Sequence, residues 1–356
     1  MTAAERFALF LDSFASLDYR RKRAIFALLK GEADPFDRLA GMRAELCACA
    51  GEREAGALLS AARGGYADEI AERLNGRGIV PVACVSPAYP ALLKETGAPP
   101  LVLYARGDLS LLSSRCFAVV GSRKSLPSAQ AKAAEFAEAL ILHGFTVVTG
   151  IAEGADSAVL HAGLSSGKVI SVTAGGFDCV YPAANASLFR QVSERGLALS
   201  EHPPAVRPMA YHFPVRNRII AGLSEGVLVV SGDEKSGTAY TAGYAADYGR
   251  EVFALPYQPG IPSGRGCNRL IKNGAYLTDC IEDILSVYHI EKKERNEPAL
   301  SELEQSLLAL IADGVSHAER LAERAGRPVY EIMPALMQLE IKKKIVRGAG
   351  NTYTAS

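Results

Sequence analysis

Apolar positions in the first 75 residues recur at helical spacing: Phe7, Leu9, Phe10 and Phe14, then Ile25, Phe26, Leu28 and Leu29. No alternating stretch there would suit a strand, so residues 1–75 read as helical. Residues 79–103 change character. Short apolar runs broken by prolines, I-V-P-V-A-C-V and P-P-L-V-L-Y among them, predict strands and loops. From Phe117 to Leu285 apolar runs at 117–120, 145–149, 168–173, 197–200, 226–231 and 251–255 are mostly separated by helix-length segments. Runs such as A-V-V and V-L-V-V suit strands buried on both faces. Residues 128–143 predict a helix with an alanine-rich interior, stopped by Gly144. Such alternation predicts a parallel, doubly wound sheet.

Residues 289–298, H-I-E-K-K-E-R-N-E-P, read as a charged linker. Beyond it, Leu303, Leu307, Leu308 and Ile311 mark one helix, residues 318–324 a second and residues 329–341 a third. A Gly-containing hairpin, I-V-R-G-A-G-N-T-Y-T, follows. Three short helices and a hairpin suggest a winged helix. The expected domains are therefore 1–75 (helical), 76–290 (α/β) and 298–356 (winged helix).

Composition adds limits. A chain of 356 residues is long enough for two or three domains, and 49% hydrophobic with 22% charged residues is ordinary for a soluble protein. No apolar run approaches the roughly 20 residues that cross a bilayer, and the N-terminus lacks a signal-like pattern. Seven scattered cysteines, with a C-x-C at Cys47 and Cys49 but no C-x-x-C, indicate neither a disulfide framework nor a zinc site. A reducing cytoplasm fits. With 39 basic and 39 acidic side chains, a global basic field is excluded. A local basic groove is not.

Candidate chemistry gathers at the expected strand ends, where ligands bind in open α/β sheets. Strand 117–120 runs into Gly121-Ser122-Arg123-Lys124-Ser125, with a glycine for close approach, hydroxyls and a guanidinium fork for a phosphate. It is neither a dinucleotide fingerprint nor a Walker loop. In H-F-P-V-R-N-R-I-I-A-G-L-S (212–224), Pro214 pushes Phe213 toward extended backbone. That places Arg216, Asn217 and Arg218 at a helix start, which favours anions. Thr149-Gly150 leads to Glu153 and Asp156, Gly175-Gly176 to Tyr181 and Asn185, and Ser231-Gly232 to Ser236-Gly237-Thr238. Lys235, Arg265 and Arg269 fall in the same set of loops, where the acids are Glu153, Asp156, Glu201, Asp233 and Glu234. Phe213, Tyr211, His212 and Tyr181 offer aromatic faces on which bases could stack. Catalytic groupings are thin. Asp156 and His161 are spaced off a shared helix face, Asp178 and Glu201 lack a partner nucleophile, and the histidines form no metal-ligand cluster. The C-terminal unit has seven basic and seven acidic residues. Lys342, Lys343, Lys344 and Arg347 cluster near its presumed wing, leaving DNA contact and protein contact both open.

The segments Y-P-A-L-L (89–93), P-P-L-V-L-Y-A-R-G-D (99–108), V-V-G-S-R (119–123) and V-V-T-G-I-A-E-G-A-D (147–156) together resemble the DNA-processing protein A (DprA/Smf) family. So do Y-P-A-A-N (181–185), F-P-V-R-N-R-I-I-A-G-L-S (213–224), S-G-T-A-Y-T (236–241) and G-C-N-R-L-I-K-N-G-A (266–275). The resemblance covers most of residues 79–285. It implies an extended Rossmann-like fold with a mostly parallel sheet, flanked by an N-terminal helical, SAM-like domain and a C-terminal winged helix. It further implies a homodimer that is not an enzyme; no cofactor or metal is expected from the residues. Such a protein would bind single-stranded DNA and hand it to the recombinase RecA during natural transformation.

On the matching motifs, the resemblance nominates Gly121, Ser122, Arg123, Phe213, Arg216, Asn217 and Arg218 for the DNA backbone, and the strand-end loops add Lys124, Ser236, Gly237 and Thr238 to the same phosphate pocket. Lys235, Arg265, Lys342, Lys343 and Lys344 are secondary candidates. The chain departs from the family pattern in five places, the first being a glycine typical of the loop after G-S-R that is missing around Leu126-Pro127. Glu153 stands where arginine is usual, and Leu160 where a histidine is. Ser231 replaces an acid, and Tyr257 replaces a glycine. The departures suggest a divergent paralogue. Two other classes remain in view. One is a nucleotide sensor or a phosphoribohydrolase resembling the "lonely guy" group, whose P-G-G-x-G-T-x-x-E motif is only partly matched by S-G-D-E-K-S-G-T-A-Y. The other is a DNA-associated regulator or defence component acting through the winged helix.

Overall fold

The computed structural model describes residues 1–29, 31–62, 65–234, 236–293, 300–342, 344–348 and 350–355. Among them, nine strands form one sheet: β1 (Val80–Ala83), β2 (Val102–Gly107), β3 (Cys116–Val120), β4 (Thr146–Thr149), β5 (Val169–Thr173), β6 (Leu197–Ser200), β7 (Gly226–Val229), β8 (Glu251–Ala254) and β9 (Tyr276–Leu277). Their order is β1-β2-β6-β5-β4-β3-β7-β8-β9. From β6 to β9 every pairing is parallel, whereas β2 runs antiparallel to both β1 and β6. All six strands expected between 117 and 255 are present within one or two residues of their sequence boundaries. Periodicity found them because β3 to β7 are buried on both faces, so each reads as an unbroken apolar run. A Val or Phe fully buried in this way stabilises the fold by roughly 1.5–3 kcal/mol.

The chain runs outward from β3 in both directions: β4, β5 and β6 on one side, β7, β8 and β9 on the other. The strand order therefore reverses between β3 and β7, which opens a crevice beyond their carboxyl ends. The expected helix after β3 spans Pro127–Leu142, and Gly144 follows it with φ +93°.

Helices at Ala3–Asp12, Tyr19–Leu28, Pro35–Leu39, Arg43–Ala50, Glu52–Ala62 and Tyr66–Asn75 fill the N-terminal region. They share one hydrophobic core with the sheet: Phe7, Phe10 and Leu46 belong to the same cluster as Tyr104, Phe117 and Phe145. A buried polar link reinforces it. Tyr104 on β2 donates to Asp12 at 2.8 Å, and Lys22 reaches the other Asp12 oxygen at 3.1 Å. Burial, partly offset by Lys22, raises the Asp12 pKa. The chain thus divides into two compact units, Met1–Lys293 and Glu294–Ser356, with residues 1–75 inside the first. Residues 294–298 of the expected linker lie outside the described residues.

The second unit has helices at Glu302–Ala312, Ala318–Ala325 and Val329–Ile341 and a hairpin of β10 (Ile345–Arg347) with β11 (Tyr353–Ala355). A Ser301–Glu304 capping box starts its first helix. Leu307, Leu321, Leu336 and Tyr353 close a separate small core. The winged helix expected from the sequence is the fold of this unit.

Candidate nucleic-acid interface

A cleft of about 770 Å³ opens where the strand order reverses. The loop after β3 forms one wall (Gly121, Ser122, Arg123 and Lys124). Ser236, Gly237, Thr238, Tyr240 and Thr241, at the start of the Gly237–Asp247 helix, form another. Phe213, Pro214, Arg216 and Asn217 close it from the His212–Leu223 helix.

The Gly121 loop is held by backbone packing. A Cβ on Gly121 would stand 2.5 Å from the Ala155 Cβ and 2.7 Å from Val230. Gly154, at φ +81°, lets the next loop press against the Ser122 and Arg123 carbonyls, each of which would lie 2.7 Å from an added Cβ. Ser231 hydroxyl accepts from the Ser122 N–H at 3.0 Å, and Ser122 hydroxyl accepts from Lys124 N–H at 3.1 Å. Arg123 and Lys124 are consequently presented outward, both exposed. Arg123 stacks over the Phe213 ring at 4.8 Å, a cation–π contact that leaves its N–H fork open. Ser125 is turned inward and does not line the cleft.

The second wall supplies dipoles. The Gly237–Asp247 helix starts without a side-chain cap, and the space over Gly237 is empty. Unsatisfied N–H groups at a helix start favour an anion. Ser236 and Thr238 share a hydroxyl–hydroxyl hydrogen bond of 2.5 Å, and Asn217 donates to the Gly237 carbonyl at 3.1 Å, tying the two helices together. Aromatic faces complete the site. Phe213 and Tyr181 meet edge-to-face at 5.6 Å, and Tyr181 and Tyr240 are each more than half exposed.

The arginines on the 212–223 helix differ from expectation. Helix begins at His212, so Phe213 is helical rather than extended, and Arg216 to Arg218 sit in the second turn rather than at its start. Pro214 fits because first-turn N–H groups have no intrahelical partner, and a missing one costs little. Arg216 does line the cleft, but it is 8% exposed. Its guanidinium donates to the Val172 carbonyl and to Asn217 Oδ1. Asp156, buried and accepting from Thr149 and Ala152, lies beside it: a Cβ on Gly150 would fall 2.3 Å from the carboxylate and 2.7 Å from the guanidinium. Burial pushes Arg216 down to about 10, partly offset by Asp156, and it stays cationic at neutral pH. Burial raises Asp156, against the pull of Arg216.

Arg218 points away from the cleft. It pairs with Glu201, donates to the Ala98 carbonyl at 2.5 Å and stacks over Tyr19 at 5.6 Å. Residues two apart on a helix lie on nearly opposite faces, so both could not enter one pocket.

Other expected residues scatter. Lys235 and Lys343 lie outside the described residues. Arg265 is exposed at a helix start and does not line the cleft, and Arg269 pairs with Glu234. Lys342 is held by Glu304 at 2.7 Å, inside the winged-helix unit, and Lys344 is half-buried there. Tyr211 and His212 do not line the cleft; the His212 ring stacks on His202 at 4.3 Å. Asp178 is bound to Arg77 and Glu201 to Arg218, so neither offers a base to the cleft.

Glu153 is exposed and lines a recess of about 120 Å³ beside the main cleft, with Arg123, Tyr181 and Phe213. Two departures from the family pattern have local compensation: Ser231 holds Ser122, while Tyr257 donates to the Val230 carbonyl and lies over Gly264. Gly150 and Tyr240 carry more of the site than their sequence context suggested. Tyr240 was legible within S-G-T-A-Y-T only as part of that motif.

Comparison with known proteins shows the family. Residues 81–289 match the family model described as DNA recombination-mediator protein A, and residues 291–351 match the DprA winged helix domain. DNA processing protein DprA of Bacillus subtilis is 40% identical over 228 residues, covering 64% of this chain and 75% of its own. Protein Smf of Escherichia coli K12 is 39% identical over 271 residues, 71% of each chain. The solved structure of DNA processing protein A from Streptococcus pneumoniae superposes with a TM-score of 0.68 at 28% identity, covering 82% of this chain and 99% of that one. That of the Helicobacter pylori protein, described for its single-stranded DNA binding mode, gives 0.53 at 28% identity over 56% and 92%. The chain belongs to the DNA processing protein A (DprA/Smf) family.

Proposed function

We propose that this protein binds single-stranded DNA through the cleft between the carboxyl ends of β3 and β7, as a non-enzymatic mediator that hands the strand to the recombinase RecA, and that it works as a homodimer. The observation carrying this reading is the juxtaposition in one cleft of two exposed cations, Arg123 and Lys124, an uncapped helix start at Gly237 and the rings of Phe213, Tyr181 and Tyr240. Phosphates suit the first two features, and unstacked bases suit the third, each stacked base contributing about 1–3 kcal/mol. Gly121, Ser122, Asn217, Ser236 and Thr238 shape the groove, while Arg216 lends it charge from below. The family relationship supports the reading, as does the DNA-binding described for the Helicobacter pylori relative. Among the described residues lining the cleft Asp156 is the one acid, and its carboxylate is committed to Thr149, Ala152 and Arg216.

The test is charge reversal at the exposed pair. Arg123→Glu with Lys124→Glu should weaken binding to oligo-dT by at least about 100-fold in fluorescence anisotropy. Thermal stability should barely change, because both side chains are solvent-exposed. Wild-type affinity in the double variant would remove the cleft from the account.

A further inference from the structure

The geometry points to a second phosphate seat on the same strand of DNA, in a separate cavity of about 620 Å³ that holds Arg77, Arg106 and Arg190. The inference rests on the single-stranded DNA reading of the main cleft and extends it.

Arg106, at the end of β2, is a fixed cation. Its guanidinium stacks over the Phe177 ring at 5.2 Å and donates to the Arg77 carbonyl at 3.2 Å. It makes no ion pair among the described residues, and its Nε–H is buried without an acceptor. Asp178, the acid nearest by, is taken by Arg77. Burial and the adjacent Arg77 charge lower the Arg106 pKa, partly offset by Asp178. Arg190, on the Ala186–Arg195 helix, is exposed on the cavity's rim and likewise makes no ion pair among the described residues. Glu194 is the remaining acid of the lining. Arg106, held in place by stacking and without an ion pair of its own among the described residues, and Arg190 on the rim match a phosphodiester, which one guanidinium fork can take with two hydrogen bonds.

Continuity with the main cleft identifies the ligand. One loop walls both cavities. Tyr181 lines the main cleft and its recess, Pro182 lines the recess, and Val180 and Ala183 line the second cavity. β3 and β2 are four strand steps apart in the sheet, about 19 Å at roughly 4.8 Å per step, and Arg106 lies a little further along, opposite Ala198 near the start of β6. A strand leaving Arg123 past Tyr181 reaches this cavity after a few nucleotides, whereas a very short oligonucleotide fills the first seat alone.

The experiment is an anisotropy titration with fluorescent oligo-dT of about 3 and about 20 nucleotides at two salt concentrations. It compares the wild type, Arg190→Glu, and Arg195→Glu as an exposed control outside the cavity. Arg190→Glu should weaken the long oligonucleotide about fivefold and make its log–log salt slope shallower by about 0.7. Binding of the short one, and both affinities of Arg195→Glu, should match wild type. Equal effects of Arg190→Glu on both lengths, no effect on either, or the same loss in Arg195→Glu would overturn the second seat while leaving the main cleft standing. A wild type that binds neither length would overturn both readings together.

Discussion

Arg216 and Arg218 show how far a single residue type can mislead. Their spacing in F-P-V-R-N-R is that of two side chains on opposite helix faces, and the partners that separate their roles are remote in sequence. Arg216 is fixed by Val172 and Asp156, Arg218 by Ala98 and Glu201. No local pattern encodes those distances, so the sequence marked both as DNA contacts. Arg218→Ala would strand Glu201, already raised by burial, in a buried site. Breaking a buried pair in this way should cost about 3–5 kcal/mol in urea unfolding. Affinity of the folded fraction for oligo-dT should be unchanged, and a selective loss of affinity would return Arg218 to the cleft.

His202 belongs to the same scale. Burial, then the His212 ring beside it, push its imidazole down from 6.5 to about 4. Below pH 6.5 the unfolded chain takes up a proton that the native state refuses until about pH 4. Stability present above 6.5 is therefore lost progressively across that window. Urea midpoints measured between pH 7 and pH 5 should fall more steeply in wild type than in His202→Phe. Identical falls would mean that this imidazole titrates normally.

Among elements, the strands were the most legible part of the chain because burial on both faces leaves an unbroken apolar run. The helix at 212–223 starts four residues earlier than its sequence predicts. Pro214 reads as a helix barrier in sequence, yet the first turn is where a helix tolerates proline. Loop packing was legible only as glycine positions. The reason for Gly121, Gly150 and Gly154 is the neighbour each would strike, and that needs the fold. Ser231, which replaces an acid of the family pattern, illustrates the point by accepting from Ser122 across two loops. Ser231→Ala leaves that N–H without its acceptor, at a cost of about 1–3 kcal/mol. It should also lower oligo-dT affinity several-fold by loosening the Arg123 loop. Unchanged affinity would mean the loop holds its shape through glycine packing alone.

For the whole molecule, neutrality hides local asymmetry. The 39 basic and 39 acidic residues cancel in total. In the first unit, however, many acids are spent on internal pairs, while Arg123 and Lys124 stay exposed beside the cleft. The winged-helix unit contrasts with this. Its third helix shows Tyr330, Met337 and Ile341 to solvent, and Lys342 is tied to Glu304. A helix face of that character lacks the cations that hold a duplex backbone. Aromatic rings in the first unit's cleft can be reached only by bases that are not already stacked in a duplex.

The most direct test is an anisotropy titration of the full chain with single-stranded and duplex oligonucleotides of one sequence at two salt concentrations. Single strands should bind far more tightly than duplex, with log affinity falling against log salt by about 0.7 for each phosphate neutralised. Equal or tighter binding to duplex, or single-strand binding indifferent to salt, would contradict a cleft built from exposed cations and stacking rings.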